Sequence, residues 1–120
     1  MGYDPGNIFA RILRGEIPCR KVYEDDYVLA FHDINPQAPT HILVVPKGHY
    51  ESFDDFSQTA SDAEIIGFTR AAGKIARELG VAEPGYRILA NHGPDSHQGV
   101  PHFHLHILAG KSLGTMLVQG

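Results

Sequence analysis

The segment His102-Phe103-His104-Leu105-His106-Ile107-Leu108 alternates histidine with apolar side chains through three periods. A period of two has one simple solution, an extended strand with unlike faces. Phe103, Leu105 and Ile107 then share one face and need a layer to pack against. His102, His104 and His106 form a row on the other, with about 6.6 Å between successive Cα atoms. Eight histidines placed at random in 120 residues would produce such a row with a chance of about 0.02. Any fold for this chain must therefore supply a core beneath that strand and a use for three adjacent imidazoles.

The remaining periodicities supply the layer. In residues 7–14, Ile8, Phe9, Ile12 and Leu13 fall at helical spacing, Gly15 is a stop, and Pro18 prevents resumption, which predicts a short amphipathic helix. Residues 20–24 and 27–33 read as two extended runs split by Asp25 and Asp26, a hairpin. Residues 41–45, bounded by Pro46, read as a central strand with His41 at its start. Ser61 and Glu64 form a capping box, after which Ile65, Phe68, Ala72, Ile75, Ala76 and Leu79 recur at three- and four-residue steps up to Gly80. This predicts one long helix. Residues 86–91 and 102–109 read as two further strands joined by a loop over 92–99. The expectation is a single α+β domain over 1–120, with its core at about 7–109 and a tail at 110–120. It holds about five antiparallel strands covered on one face, one long helix and one short helix.

Charge and cysteine content narrow the function. Ten Lys and Arg against fourteen Asp and Glu give a net charge of −4, with no basic run, so a nucleic acid polymer is not the expected partner. A single cysteine, Cys19, forms no disulfide within the chain, and the first seven residues lack the apolar core of a secretion signal. No apolar stretch approaches the ~20 residues that span a bilayer. A cytoplasmic protein without membrane contact is the expectation.

Two chemistries use such a histidine row. Neutral imidazole is a common zinc ligand, and two histidines separated by one residue on a strand have a workable ligand spacing. Alternatively, one imidazole attacks a phosphoryl centre while its neighbours stabilise developing charge; mutual repulsion keeps some of the three neutral near pH 7. The residues alone leave both open.

The sequence resembles the histidine triad (HIT) superfamily, whose pattern of alternating histidine and apolar residues is met at all seven positions from His102 through Leu108. Further matches point to its Hint branch, the histidine triad nucleotide-binding proteins. They include Asn7-Ile8-Phe9 with Gly15-Glu16-Ile17-Pro18, the run from Ala30 through His41, Pro46-Lys47 with His49, and Gly85-Tyr86-Arg87. The resemblance implies a HIT-like fold and a homodimeric purine nucleotide-binding hydrolase that cleaves nucleoside 5′-phosphoramidates, with no cofactor and no metal. It implies His104 as the nucleophile that forms a nucleotidyl-histidine intermediate, His106 as a phosphate contact, and His102 with His41 near it as the pair that orients the nucleophile and helps move a proton to the leaving amine. It implies Asp33 as acceptor of the ribose hydroxyls, and Ile8, Phe9, Ile12, Phe31 and Ile34 as nucleotide-binding positions, with the base enclosed by the apolar ones. Asn91, Gly99 and Val100 are placed beside the phosphate. His32, His49, His92 and His97 are expected to lie on the surface or in loops, outside the chemistry.

Two departures bear on the leaving group. Many Hint proteins carry a hydroxyl residue at the position of Gly99, and the tail lacks the tryptophan of animal Hint proteins. The alternatives are a dinucleoside polyphosphate hydrolase of the Fhit type and a non-catalytic nucleotide-binding or scaffolding dimer.

Overall fold

A computed structural model describes residues 2–117. In chain order its elements are α1 (Ile8–Leu13), β1 (Lys21–Glu24), β2 (Val28–His32), β3 (Thr40–Pro46), α2 (Phe53–Thr59), α3 (Asp62–Glu78), β4 (Tyr86–Leu89) and β5 (Leu105–Ala109), with a 3₁₀ turn at Pro94–Ser96. The five strands form one antiparallel sheet in the order β1-β2-β3-β5-β4. Among the described residues no helix is long and apolar enough to cross a membrane.

Local chemistry accounts for the boundaries. The Asn7 side chain accepts the Ala10 N–H at 2.9 Å, so Asn7 caps α1 rather than belonging to it. The Asp25 carboxylate accepts from the N–H groups of Tyr27 and Val28 at 2.7 and 3.0 Å, which turns the β1–β2 hairpin. The capping box at Ser61 and Glu64 is formed, and the Tyr50 hydroxyl also donates to the Glu64 carboxylate at 2.9 Å.

Three features differ from expectation. The sheet is covered on both faces, not one. Val28, Ala30, Ile42, Val44, Phe103 and Ile107 pack with Phe56 of α2 and Phe68, Ala71 and Ile75 of α3, whereas Leu29, Phe31, Leu43 and Val45 pack with Phe9 on the opposite side. The cause lies in β2 and β3, whose Val28-Leu29-Ala30-Phe31 and Ile42-Leu43-Val44-Val45 are unbroken apolar runs and must be buried on both sides. The second difference is α2, a third helix. Its seven residues carry only Phe53 and Phe56 as apolar side chains, too few to show a period, and Phe56 is buried.

The third difference is that β5 begins at Leu105 instead of His102. Pro46, at the end of β3, has no N–H with which to extend the ladder, and the Phe103 N–H donates instead to the Tyr50 carbonyl at 2.7 Å. Phe103 nonetheless keeps the dry face, with its ring 5.0 Å from that of Phe56 and 5.1 Å from that of Phe68. Replacing Phe103 by Ala should therefore destabilise the fold by about 3–5 kcal/mol, read as a fall in the urea midpoint at unchanged slope. A loss below 1 kcal/mol would contradict the packing described.

Candidate active site

The second apolar layer does not close over the sheet completely. Between α1, the end of β2 and residues 91–100 it leaves a cavity of about 380 Å³, within the size range of small-molecule sites. All nine residues expected to bind nucleotide line it: Ile8, Phe9, Ile12, Phe31, Asp33, Ile34, Asn91, Gly99 and Val100. His104 and His106 stand on its wall, while His102 and His41 lie behind it. The Phe9 ring meets Phe31 edge-on at 5.7 Å and His104 edge-on at 4.9 Å, so α1 joins the apolar end of the cavity to the histidines.

Sequence reasoning left several wall residues out. Ile17, Pro18 and Cys19 line the cavity because the chain turns back across it after Gly15, and Leu43 reaches it from β3. His32 and His97, expected outside the chemistry, both border it. His97 is the non-glycine residue with positive φ, at 60°. The neighbouring Gln98 amide donates to the carbonyls of Glu51 and Val100 at 2.6 and 3.0 Å and accepts from the Gly93 N–H at 3.1 Å, tying the loop down. A Cβ on Gly99 would meet nothing within 4 Å, so packing does not demand glycine there.

Hydrogen bonds to the backbone settle where each ring proton lies. The Pro46 carbonyl can only accept, so His102 Nε2 carries a proton and donates to it at 2.8 Å, leaving Nδ1 as the acceptor for the Tyr3 hydroxyl. His104 Nδ1 donates to the His102 carbonyl at 2.7 Å. In the neutral ring Nε2 of His104 therefore bears a lone pair. It has no hydrogen-bond partner, and no buried side-chain nitrogen or oxygen among the described residues lacks one, so it opens to the cavity.

His41 Nδ1 accepts the Gln37 N–H at 3.0 Å, which places the His41 proton on Nε2, directed at His106 Nδ1 2.8 Å away. His106 thus presents an Nε2–H. One expectation is corrected here: His41 pairs with His106, not with His102. In the β3–β5 register His41 lies opposite Leu108 and Leu43 opposite His106, whereas His102 sits at the far, Pro46 end of β3.

Burial keeps the cluster neutral. It pushes His102 down to about 4, helped by the neighbouring imidazoles, and His106 to about 4 for the same reasons, with Asp33 opposing. His104 and His41 are also lowered by burial, against the attraction of Asp33. The Asp33 carboxylate accepts from the Asn35 N–H at 2.8 Å and lies 3.4 Å from His41 Nε2.

Asp33, His41 and His106 are also the group that offers three metal-ligand atoms, all within 4.8 Å of one another. Their arrangement suits a proton better than a cation. The 2.8 Å between His41 Nε2 and His106 Nδ1 is shorter than the roughly 3.3 Å of two nitrogens placed tetrahedrally on zinc at ~2.0–2.1 Å. A metal on Nε2 would also force the His41 proton onto Nδ1, against the Gln37 N–H.

The family model described as HIT domain matches residues 14–113. The chain is 64% identical over 118 residues, 98% of this chain and 97% of the relative, to an uncharacterized 13.2 kDa HIT-like protein of Azospirillum brasilense. It is 46% identical over 113 residues, 93% of each chain, to the purine nucleoside phosphoramidase of Escherichia coli strain K12. Among solved structures, a histidine triad protein from Clostridium difficile superposes with a TM-score of 0.84 at 49% identity, covering 92% of this chain and 95% of that one.

The lowered histidines set a pH dependence. An unfolded chain protonates His102 near its ordinary 6.5, while the folded chain resists until about 4. The contribution of His102 to stability is therefore constant above pH 6.5 and falls as pH drops from 6.5 towards 4, by about 3 kcal/mol for this fully buried ring. Urea unfolding across this range should show the fall, and ring nitrogen shifts of His102 should remain those of a neutral imidazole at pH 5.5. A His102 midpoint near 6.5 would contradict the assignment.

Proposed function

This chain belongs to the HIT domain family, and from that premise we propose that it is a purine nucleotide-binding hydrolase that cleaves the P–N bond of nucleoside 5′-phosphoramidates through a nucleotidyl-histidine intermediate. One observation carries the reading: the bare Nε2 of neutral His104, its tautomer held by the His102 carbonyl, faces a cavity whose far end is apolar. The named activity of the 46% identical Escherichia coli relative supports the substrate class.

In this reading the base lies among Ile8, Phe9, Ile12 and Phe31, the ribose hydroxyls donate to Asp33, and Asn91, Gly99 and Val100 flank the phosphate. The His104 Nε2 lone pair forms a bond to phosphorus. The P–N bond breaks, its electron pair passes to the leaving nitrogen, and that nitrogen takes a proton from water at the cavity mouth. The His106 Nε2–H, kept in place by the His41 Nε2–H that donates to His106 Nδ1, donates to a phosphate oxygen as charge develops. Water then attacks phosphorus, releases a proton to solvent, and returns the electron pair to Nε2. His102 and the His41–His106 pair act as fixed dipoles, since each ring commits its one proton to a defined acceptor.

We also infer that the working form is a homodimer. Strand β4 is an edge of the sheet, with Tyr86 41% and Ile88 54% exposed, and Ile66 of α3 is 53% exposed. Ala71, which falls off the main apolar stripe, is already buried in this chain's own core and does not count towards that surface. A second copy pairing along β4 would cover the edge and these side chains together. Sedimentation at micromolar concentration should give twice the chain mass, and a monomer would remove the inference.

Turnover is tested on adenosine 5′-phosphoramidate beside a diadenosine polyphosphate, each with and without chelator. The phosphoramidate should be preferred and chelator should have no effect. His104→Ala should lower kcat by about a thousandfold or more while nucleoside monophosphate still binds, because the base and ribose contacts remain. Activity above a few per cent in that variant would show that another group is the nucleophile. Preference for the polyphosphate would move the reading to the Fhit type.

A further inference from the structure

We propose that Tyr3, near the start of the chain, is a positioning residue for the hydrolysis, acting through His102; the inference rests on the reading of His104 as nucleophile. Tyr3 is separated from His102 by 99 positions, yet its hydroxyl donates to His102 Nδ1, its ring lies edge-on to the His102 ring at 5.6 Å, and it stacks on His49 at 4.5 Å and 6°. The segment that delivers it is tied to the site. Asn7 Nδ2 donates to the Asp4 carbonyl at 2.7 Å, Arg14 donates to the Pro5 carbonyl at 2.8 Å, and the Asn7 side chain caps the helix that carries Phe9.

The consequence for chemistry runs through two hydrogen bonds. His102 has no exposed surface; among the described residues Tyr3 is the hydrogen-bond partner of its Nδ1, and the Pro46 carbonyl holds its Nε2–H. With both ring nitrogens engaged, the His102 backbone is anchored, and its carbonyl is the acceptor for His104 Nδ1 at 2.7 Å. Removing the Tyr3 hydroxyl leaves a buried acceptor without a partner. The ring can then change tautomer, which sets a lone pair against the Pro46 carbonyl, or rotate, which drags the carbonyl away from His104. Either response loosens the ring that attacks phosphorus and leaves the base and ribose contacts alone.

The test compares Tyr3→Phe, which keeps the ring stacked on His49 and loses only the hydroxyl, with Tyr3→Ala, which loses both. Turnover of adenosine 5′-phosphoramidate by the full chain is measured per active site, counted by binding of nucleoside monophosphate so that unfolded protein does not enter. Tyr3→Phe should lower kcat by about tenfold with KM changed less than about twofold, Tyr3→Ala should be no more than slightly worse, and the His102 Nδ1 nitrogen resonance should move. Placing 4-aminophenylalanine at position 3 restores a donor and should recover most of kcat. Wild-type kcat in Tyr3→Phe, with or without damage in Tyr3→Ala, overturns the proposal, as does failure of the donor-bearing replacement to recover a lost rate. Undiminished turnover in His104→Ala is a different failure. It removes the nucleophile reading itself and this inference with it.

Discussion

Three backbone groups decide where the protons of the histidine cluster sit: the Gln37 N–H and the carbonyls of Pro46 and His102. A neutral imidazole has two tautomers of similar energy in water, and a nucleophile is useful only in the one that turns its lone pair to the substrate. Side chains would be poor arbiters because they rotate and titrate, whereas a strand carbonyl does neither. Anchoring three of the rings to main chain, and His106 through His41, converts a fourfold cluster of ambiguous donors and acceptors into a fixed sequence. His104 is left with a bare nitrogen, and His106 with an N–H. Burial then keeps these states across neutral pH, because protonating any member would place charge where little water reaches.

That arrangement explains why the sheet has two unlike sides. Beneath α3 the packing is dry and aromatic, with Phe56, Phe68 and Phe103 in mutual contact, and its business is stability. On the opposite side the covering is a single short helix and loops, enough to bury Phe31, Leu43 and Val45 but not to fill the space above the histidines. Strand alternation joins the two. Phe103, Leu105 and Ile107 hold β5 down, while His104 and His106 look out from it.

How much of this was legible depends on range. The alternation in residues 102–108, the capping box of α3 and the apolar runs of β2 and β3 are local signals, and each element stands where they place it to within a few residues. The seven-residue α2 has no period to detect. The pairing of His41 with His106 depends on strand register, which no local signal carries, and so the expectation that His41 sits near His102 fails. Two-sided burial follows from the unbroken apolar runs of β2 and β3, and the expectation of one covered face missed it. The resemblance placed Asp33, Asn91 and Val100 around one cavity although Asp33 is far in sequence from the segment that carries the other two. It was silent on Tyr3 and Gln37, because their contributions are a hydroxyl arriving from the chain's beginning and a main-chain N–H.

The Gln98 side chain joins three separate stretches of backbone, Gly93, Val100 and the Glu51 corner before α2, through one amide. Geometrically it is a crossbar. The wall of the cavity at Val100 is braced against the segment that leads into the helical layer, and not only against the sheet that bears the histidines. A small displacement of that corner is transmitted to Val100 without passing through β5. The two faces of the molecule, separate in their packing, are thus joined around the edge of the sheet by a side chain whose length must match the gap, next to the backbone bond from Phe103 to Tyr50.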